Sequence, residues 1–126
     1  MPITHTFADQ PDMLIVEAHG ETTQAERLNL VRQVLDDPRH RAGLPTLGDF
    51  SDAVSMPTLA ELVELVNVLK QHALQIGRRK IAIVTPHPVL YGIARQFGAM
   101  APGTLLAVQI FKDRQSAVAW LSSSPD

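Results

Sequence analysis

LPTLGDFSDAVSMPTLAELVELVNVLK, residues Leu44–Lys70, holds the pattern from which the rest of the chain is read. Pro45–Phe50 reads as a short buried strand. A polar turn follows, in which Asp49, Ser51, Asp52 and Ser55 crowd the join to the next element. Thr58-Leu-Ala-Glu61 has the spacing of a capping box, in which each side chain satisfies the other residue's backbone N–H. Pro57 is the competing helix start, since proline suits the first helical position. The helix is predicted to run to Gly77, a natural left-handed stop. At 100° per residue its apolar side chains cover about half of the circumference, wider than the ~100° stripe that one sheet face requires. The surplus calls for a neighbouring helix, a second subunit or a ligand. A strand followed by a helix also marks an open α/β sheet, where ligands bind beyond the carboxyl ends of the strands.

Downstream, Lys80–Thr85 (KIAIVT) is apolar and β-branched without alternation, as suits a central parallel strand covered on both faces. Pro86-His87-Pro88 breaks it and opens a further helix with Val89, Leu90, Ile93, Phe97 and Met100 on one face. Pro102-Gly103 is a turn and Thr104–Phe111 a last strand. Asp113 caps a short helix carrying Ala117, Trp120 and Leu121, and Ser122–Asp126 is expected to fray. Upstream, Ile3–Ala8 and Met13–His19 flank Asp9-Gln10-Pro11-Asp12, the chemistry of an antiparallel hairpin. Gly20 lets the chain bend, and Thr23-Gln-Ala-Glu26 caps a helix that ends at Asp37-Pro38. The expected order is ββαβαβαβα: an α/β fold with a five-stranded mixed sheet, four helices and the amino-terminal hairpin at or near one edge. Helices between successive late strands force parallel pairing with right-handed crossovers.

This order resembles the STAS family, the anti-sigma-factor antagonist domains, and especially its SpoIIAA-like branch. The residues that carry the resemblance are Gly20 after IVEAH, the GDFSDAV segment at Gly48–Val54, KIAIVTP at Lys80–Pro86, and FKDRQSAVAWL at Phe111–Leu121. It spans nearly the whole chain and implies one STAS-like domain over residues 1–126. In the antagonists a serine at the start of the helix after this strand is phosphorylated and switches binding to a partner kinase. A helix amino terminus welcomes phosphate, and the added charge remakes an interface. The family's Asp-Ser-Ser-Gly-type run is replaced here by Ser55-Met56-Pro57-Thr58-Leu59-Ala60, so Thr58 is the nearest candidate phosphosite, with Ser55 and Ser51 behind it. The fold is also similar to the CRAL-TRIO domains, which hold apolar molecules between helices and sheet. The resemblance therefore implies a regulatory protein–protein interaction module or, alternatively, a carrier or sensor of a lipid or other apolar small molecule.

Composition narrows the remaining classes. At 126 residues the chain is one domain, long enough for a real core. A net charge of −2 argues against a general nucleic-acid binder. With no cysteine, disulfides, thiolate catalysis and cysteine zinc sites are excluded. MPITHTFADQPD lacks the basic and apolar regions of a signal peptide, and no apolar run is long enough to span a bilayer, so a cytoplasmic protein is expected. Glycine-rich nucleotide loops and the Gly-x-Ser-x-Gly elbow are absent.

The candidate binding residues are those of the strand-end loops: Asp49, Ser51, Asp52, Ser55, Thr58 and His87. Their plainer roles are turn formation for Asp49, Ser51, Asp52 and Ser55, and capping for Thr58. Asp49 and His87, on adjacent strand ends, form a remote candidate for general acid–base chemistry of a hydrolase type. His5, His19, His40 and His72 show no ligand-type spacing with a carboxylate, and no metal or cofactor is expected. Arg78-Arg79-Lys80 reads as a solvated cluster, shorter than the roughly four to eight charges of a membrane-reading segment. Val63 and Leu74, at the edge of the apolar arc, are expected at an interface, with a homodimer the leading arrangement. The chain is expected to act by binding rather than as an enzyme.

Overall fold

A computed structural model describes residues 2–9, 11–101, 103 and 105–123. Five strands form one sheet in chain order: β1 (Ile3–Asp9), β2 (Asp12–Gly20), β3 (Thr46–Ala53), β4 (Arg79–Val84) and β5 (Leu106–Phe111). β1 pairs antiparallel with β2, and every later pairing is parallel. The hairpin therefore occupies one edge. Of the turn residues read from the sequence, Gln10 and Pro102 lie outside the described residues, as do Thr104 and 124–126.

Parallel strands laid down in chain order with right-handed crossovers place every connecting helix on the same face. Those helices are α1 (Gln24–Asp36), α2 (Leu59–Gln71) with the one-turn α3 (Ala73–Ile76), and α4 (Pro88–Met100). Among the described residues no strand follows β5. α5 (Arg114–Leu121) packs on the opposite face, where Ala117 and Leu121 meet Met13, Leu47, Ala82 and Val84. Strand alternation supplies both cores. Thr46, Gly48 and Phe50 of β3 and Ile81 and Ile83 of β4 look toward α1, α2 and α4, while Leu47, Ala82 and Val84 look toward α5.

The local chemistry explains the helix starts. Thr23–Glu26 and Thr58–Glu61 both form complete capping boxes, and the Asp113 carboxylate accepts from the Ser116 N–H. The long helix expected to reach Gly77 is interrupted. α2 stops at His72, whose Nδ1 lies 3.2 Å from the Val68 carbonyl, and α3 adds a separate turn, giving five helices among the described residues. Gly77 ends that turn at φ 67°, where a Cβ would lie 2.7 Å from the Gly43 nitrogen. Glycine is required there both for the backbone and for the close approach.

β3 is longer than the sequence suggests. It continues to Ala53 because β2 continues beside it, through a register irregularity between Glu17 and His19, to pair Gly20 with Ala53. Ser51 and Asp52 are therefore strand residues, not turn residues. Pairing of β3 with β4 ends at Asp49 and Val84, so the last part of β3 is held from the β2 side alone.

Candidate ligand cavity and strand-end site

Between α1, α2, α4 and the sheet lies a cavity of about 250 Å³. Its floor is made by the outer residues of the strands, including Val16, Gly48, Ile81 and Ile83. Gly48 leaves room for the Phe50 ring; a Cβ would lie 3.0 Å from that ring's Cε2. The roof is Leu62, Leu65 and Leu69 of α2, with Leu30 and Val31 of α1 and Leu90, Ile93, Ala94 and Phe97 of α4. A second cavity of about 130 Å³ adjoins it toward the amino ends of the strands; Val16, Leu30, Val31, Thr46, Leu69 and Ile81 line both. The inward-facing part of the broad apolar arc of α2 is thus accounted for, while Leu59 and Val63 of that arc are exposed. Leu62 and Val66 are buried, and Leu65 and Leu69 face the cavities.

The carboxyl-end rim is fastened by polar side chains. Ser55 Oγ accepts from the Thr22 N–H at 2.7 Å and donates to the Thr22 carbonyl at 3.1 Å. Arg27, which lines the larger cavity, donates to the Thr22 carbonyl and lies 3.7 Å from the Glu61 carboxylate. Gln24 donates to the Glu61 carbonyl and the Glu64 carboxylate. Together these contacts bind the β2–α1 connection to the β3–α2 connection and the first turn of α2.

At the amino end the polar element is Arg79, only 7% exposed. Its Nε donates to the Ile76 carbonyl at 3.1 Å, Nη1 to Thr46 Oγ1 at 3.0 Å, and Nη2 to the carbonyls of Ile76 and Arg41. Nη2 also lies 2.8 Å from His40 Nε2. A guanidinium only donates, so His40 accepts there and its ring is neutral. Burial and then the Arg79 charge hold His40 below its ordinary pKa. Burial, with Arg41 nearby, pushes Arg79 down to about 10. The Arg78-Arg79-Lys80 run is therefore not a uniformly solvated cluster. β4 alternation sends Arg79 inward on the cavity side and Lys80 to the α5 side, where its ammonium sits 4.9 Å from the Trp120 ring centroid.

The strand-end candidates do not converge on one point. Asp49 Oδ1 accepts from the Ser51 N–H and hydroxyl at 3.0 and 2.7 Å, and Oδ2 faces Arg114 Nη1 at 3.3 Å. That arginine also pairs with Glu17, which lies directly across from Asp49 in the parallel register, so one cation is shared by two adjacent carboxylates. His87 is exposed, and its Nε2 lies 3.2 Å from the Ser51 carbonyl. The acid–base pairing of Asp49 with His87 is not formed: each carries a different partner among the described residues, because alternation turns Asp49 toward α5. Asp52 pairs with His19 at 3.2 Å, and His5 with Asp37 at 3.2 Å. Two histidines without carboxylate spacing in sequence thus acquire carboxylates through tertiary contacts. Arg39 doubly bonds Asp37 and holds its carboxyl well below the usual range. Thr58 is exposed and its hydroxyl accepts the Glu61 N–H. Among the described residues no group of three or more His, Cys, Asp or Glu side chains is placed to hold a metal. No helix among them is long and apolar enough to cross a membrane.

Arg79 is the residue that sequence reasoning missed. Its signal was its position: the first residue of an apolar strand, in phase with Ile81 and Ile83 and so committed to the same face.

Neither a family model nor a curated protein matches the sequence. Among solved structures, the fold is similar to that of an uncharacterised protein of the DUF3478 family with a SpoIIAA-like fold from Shewanella loihica PV-4. The TM-score is 0.63 at 17% identity, over 94% of this chain and 91% of that one. The chain thus has the SpoIIAA-like fold that its element order and motifs resemble.

Proposed function

We propose that this domain binds an apolar small molecule between its three-helix layer and its sheet. The supporting observation is the cavity of about 250 Å³ beneath α2. A cavity of ~150 Å³ lined by apolar residues suffices for benzene, about 25 Å³ per heavy atom, so this one suits a ligand of about ten heavy atoms. Medium-chain acyl compounds and small terpenoids have that size. The polar groups at its rims, few and fixed by hydrogen bonds, are of the kind that orient a ligand in an otherwise apolar site.

The test is native mass spectrometry of protein purified from cells without refolding. A retained mass, released by organic solvent and missing from Ala94→Phe, is the expected result. Ala94 lines the cavity, so the phenyl ring would occupy the ligand's space. A bare chain whose melting temperature no medium-chain compound raises would sink the reading, because a ligand that binds only the folded state must stabilise it.

A second reading is favoured by the outer surface of α2. Leu59 and Val63, one helical turn apart, are 59% and 44% exposed, preceded by exposed Val54 and Met56. Large apolar side chains grouped in this way are commonly interaction surfaces, as a regulatory module binding a protein partner or its own copy would need. On this reading Val63→Glu weakens self-association at least tenfold in sedimentation equilibrium, with the fold retained. Leu74, 96% exposed on α3, is the matching position at the other end. A wild type that stays monomeric at millimolar concentration removes the self-association.

A further inference from the structure

The inner surface of the cavities is apolar except at a few points, and those points differ in charge balance. Arg27, at the carboxyl-end rim, has the Glu61 carboxylate 3.7 Å away. Arg79, which lines the smaller cavity, has no carboxylate within ion-pair distance among the described residues. All of its partners are neutral: backbone carbonyls, the Thr46 hydroxyl and a neutral His40. Carbonyl dipoles solvate a cation but leave its net charge uncompensated, and a buried charge without a counter-ion is costly. The donors are not exhausted either. A guanidinium has five N–H groups, and Nη1 makes one described bond, to Thr46, leaving an N–H to spare. Thr46 lines both cavities, so this nitrogen sits beside the seam where the two meet.

We propose that the ligand is an anion, a medium-chain carboxylate whose head group pairs with Arg79 while its chain lies in the larger cavity under α2. This rests on the apolar-ligand reading and specifies its chemical class. A carboxylate carries the one charge that a single arginine neutralises and accepts hydrogen bonds in the plane of the guanidinium. A phosphate monoester brings roughly two charges and three acceptor oxygens, for which the small cavity has no second cation among the described residues. At about 25 Å³ per heavy atom the two cavities accommodate about ten and about five atoms, so a carboxylate with a chain near ten carbons fits within them.

The experiment is isothermal titration of the full chain at pH 7.5 with decanoate and with 1-decanol, which share a chain and differ in charge. Decanoate is expected to bind at least tenfold more tightly. Equal affinities, or tighter binding of 1-decanol, overturn the head-group assignment and leave the apolar-ligand reading standing. Failure of both compounds to bind overturns both. Arg79→Gln sharpens the result: decanoate should lose at least tenfold while 1-decanol stays within about twofold. A folded Arg79→Gln that binds decanoate undiminished also overturns the assignment. If that variant does not fold, the wild-type ratio of the two affinities decides alone.

Discussion

The sheet face under α5 and the face under α1, α2 and α4 are built from alternate residues of the same strands, yet they are filled differently. Under α5, Leu47, Ala82 and Ala117 are wholly buried and Val84 nearly so. Small residues there let α5 approach closely, and Phe111 and Trp120 pack their rings 5.8 Å apart at its edge. On the other side three longer helices contribute few fully buried side chains: Val34 from α1, Leu62 and Val66 from α2, Ala94 from α4. The remainder of their apolar surface lines cavities or faces outward. Protein interiors are normally packed to the density of organic crystals. The sheet is thus closed tightly on one side and left open beneath a helical roof on the other, and a ligand of the proposed kind would use only the open side.

The contrast is broken most forcefully by cutting the same side chain back on each face. Leu47→Ala removes a fully buried side chain against α5 and is expected to cost about 2–5 kcal/mol in chemical denaturation. Leu65→Ala, on the cavity side, is expected to cost roughly half of that or less. Its side chain already borders empty space and has fewer contacts to lose. Equal losses would mean that the cavity is filled in solution by the protein itself.

Adding volume gives the next largest difference, and with opposite sign. Ala117→Leu forces atoms into the closed layer, for an expected loss of about 1–3 kcal/mol. Ala94→Leu places the same atoms into the cavity and should leave the unfolding midpoint unchanged or raised. A comparable loss for both would show that the helical roof sits lower on the sheet than the cavity implies.

Much of this arrangement can be read in the chain, up to a definable point. Both capping boxes follow from i, i+3 side-chain chemistry, and the hairpin and the β4 strand follow from local pattern. The breadth of the α2 arc correctly signals a surface too large for one sheet face. Its division into roof and exposed patch depends on how high the helix rides, which spacing along the chain does not encode. The Asp49–His87 pairing fails for a related reason. Neighbouring strand ends are legible, but Arg114 and Ser51, which claim Asp49, are brought to it by α5 and by the continuation of β3. Extension of β3 through Ser51 and Asp52 defeats turn propensity because β2 offers a partner edge to residue 20. Arg79 reads as solvated because charged residues usually are. The carbonyls of Arg41 and Ile76 that accept from it meet only in the folded chain.

The smallest expected effect follows from the same two faces and concerns where charge is buried. On the α5 side Asp113 and Arg114 stay at the exposed edge, and the half-buried Asp49 there has Arg114 as its counter-ion. On the cavity side His40 is held neutral against Arg79, with its pKa below that of the unfolded chain. As pH falls through the ordinary histidine range, near 6.5, the unfolded chain takes up a proton that the folded His40 refuses. Its contribution is therefore complete above that range and declines below it. His40→Gln keeps an acceptor for the Arg79 N–H but cannot titrate. Its melting temperature should fall less steeply than that of the wild type between pH 7 and pH 5, while the two slopes coincide above pH 7.5. Parallel slopes throughout would place the acid sensitivity elsewhere and remove the argument that His40 is the neutral neighbour of an uncompensated arginine. A slope reduced only when decanoate is absent would tie that proton to the occupancy of the cavity.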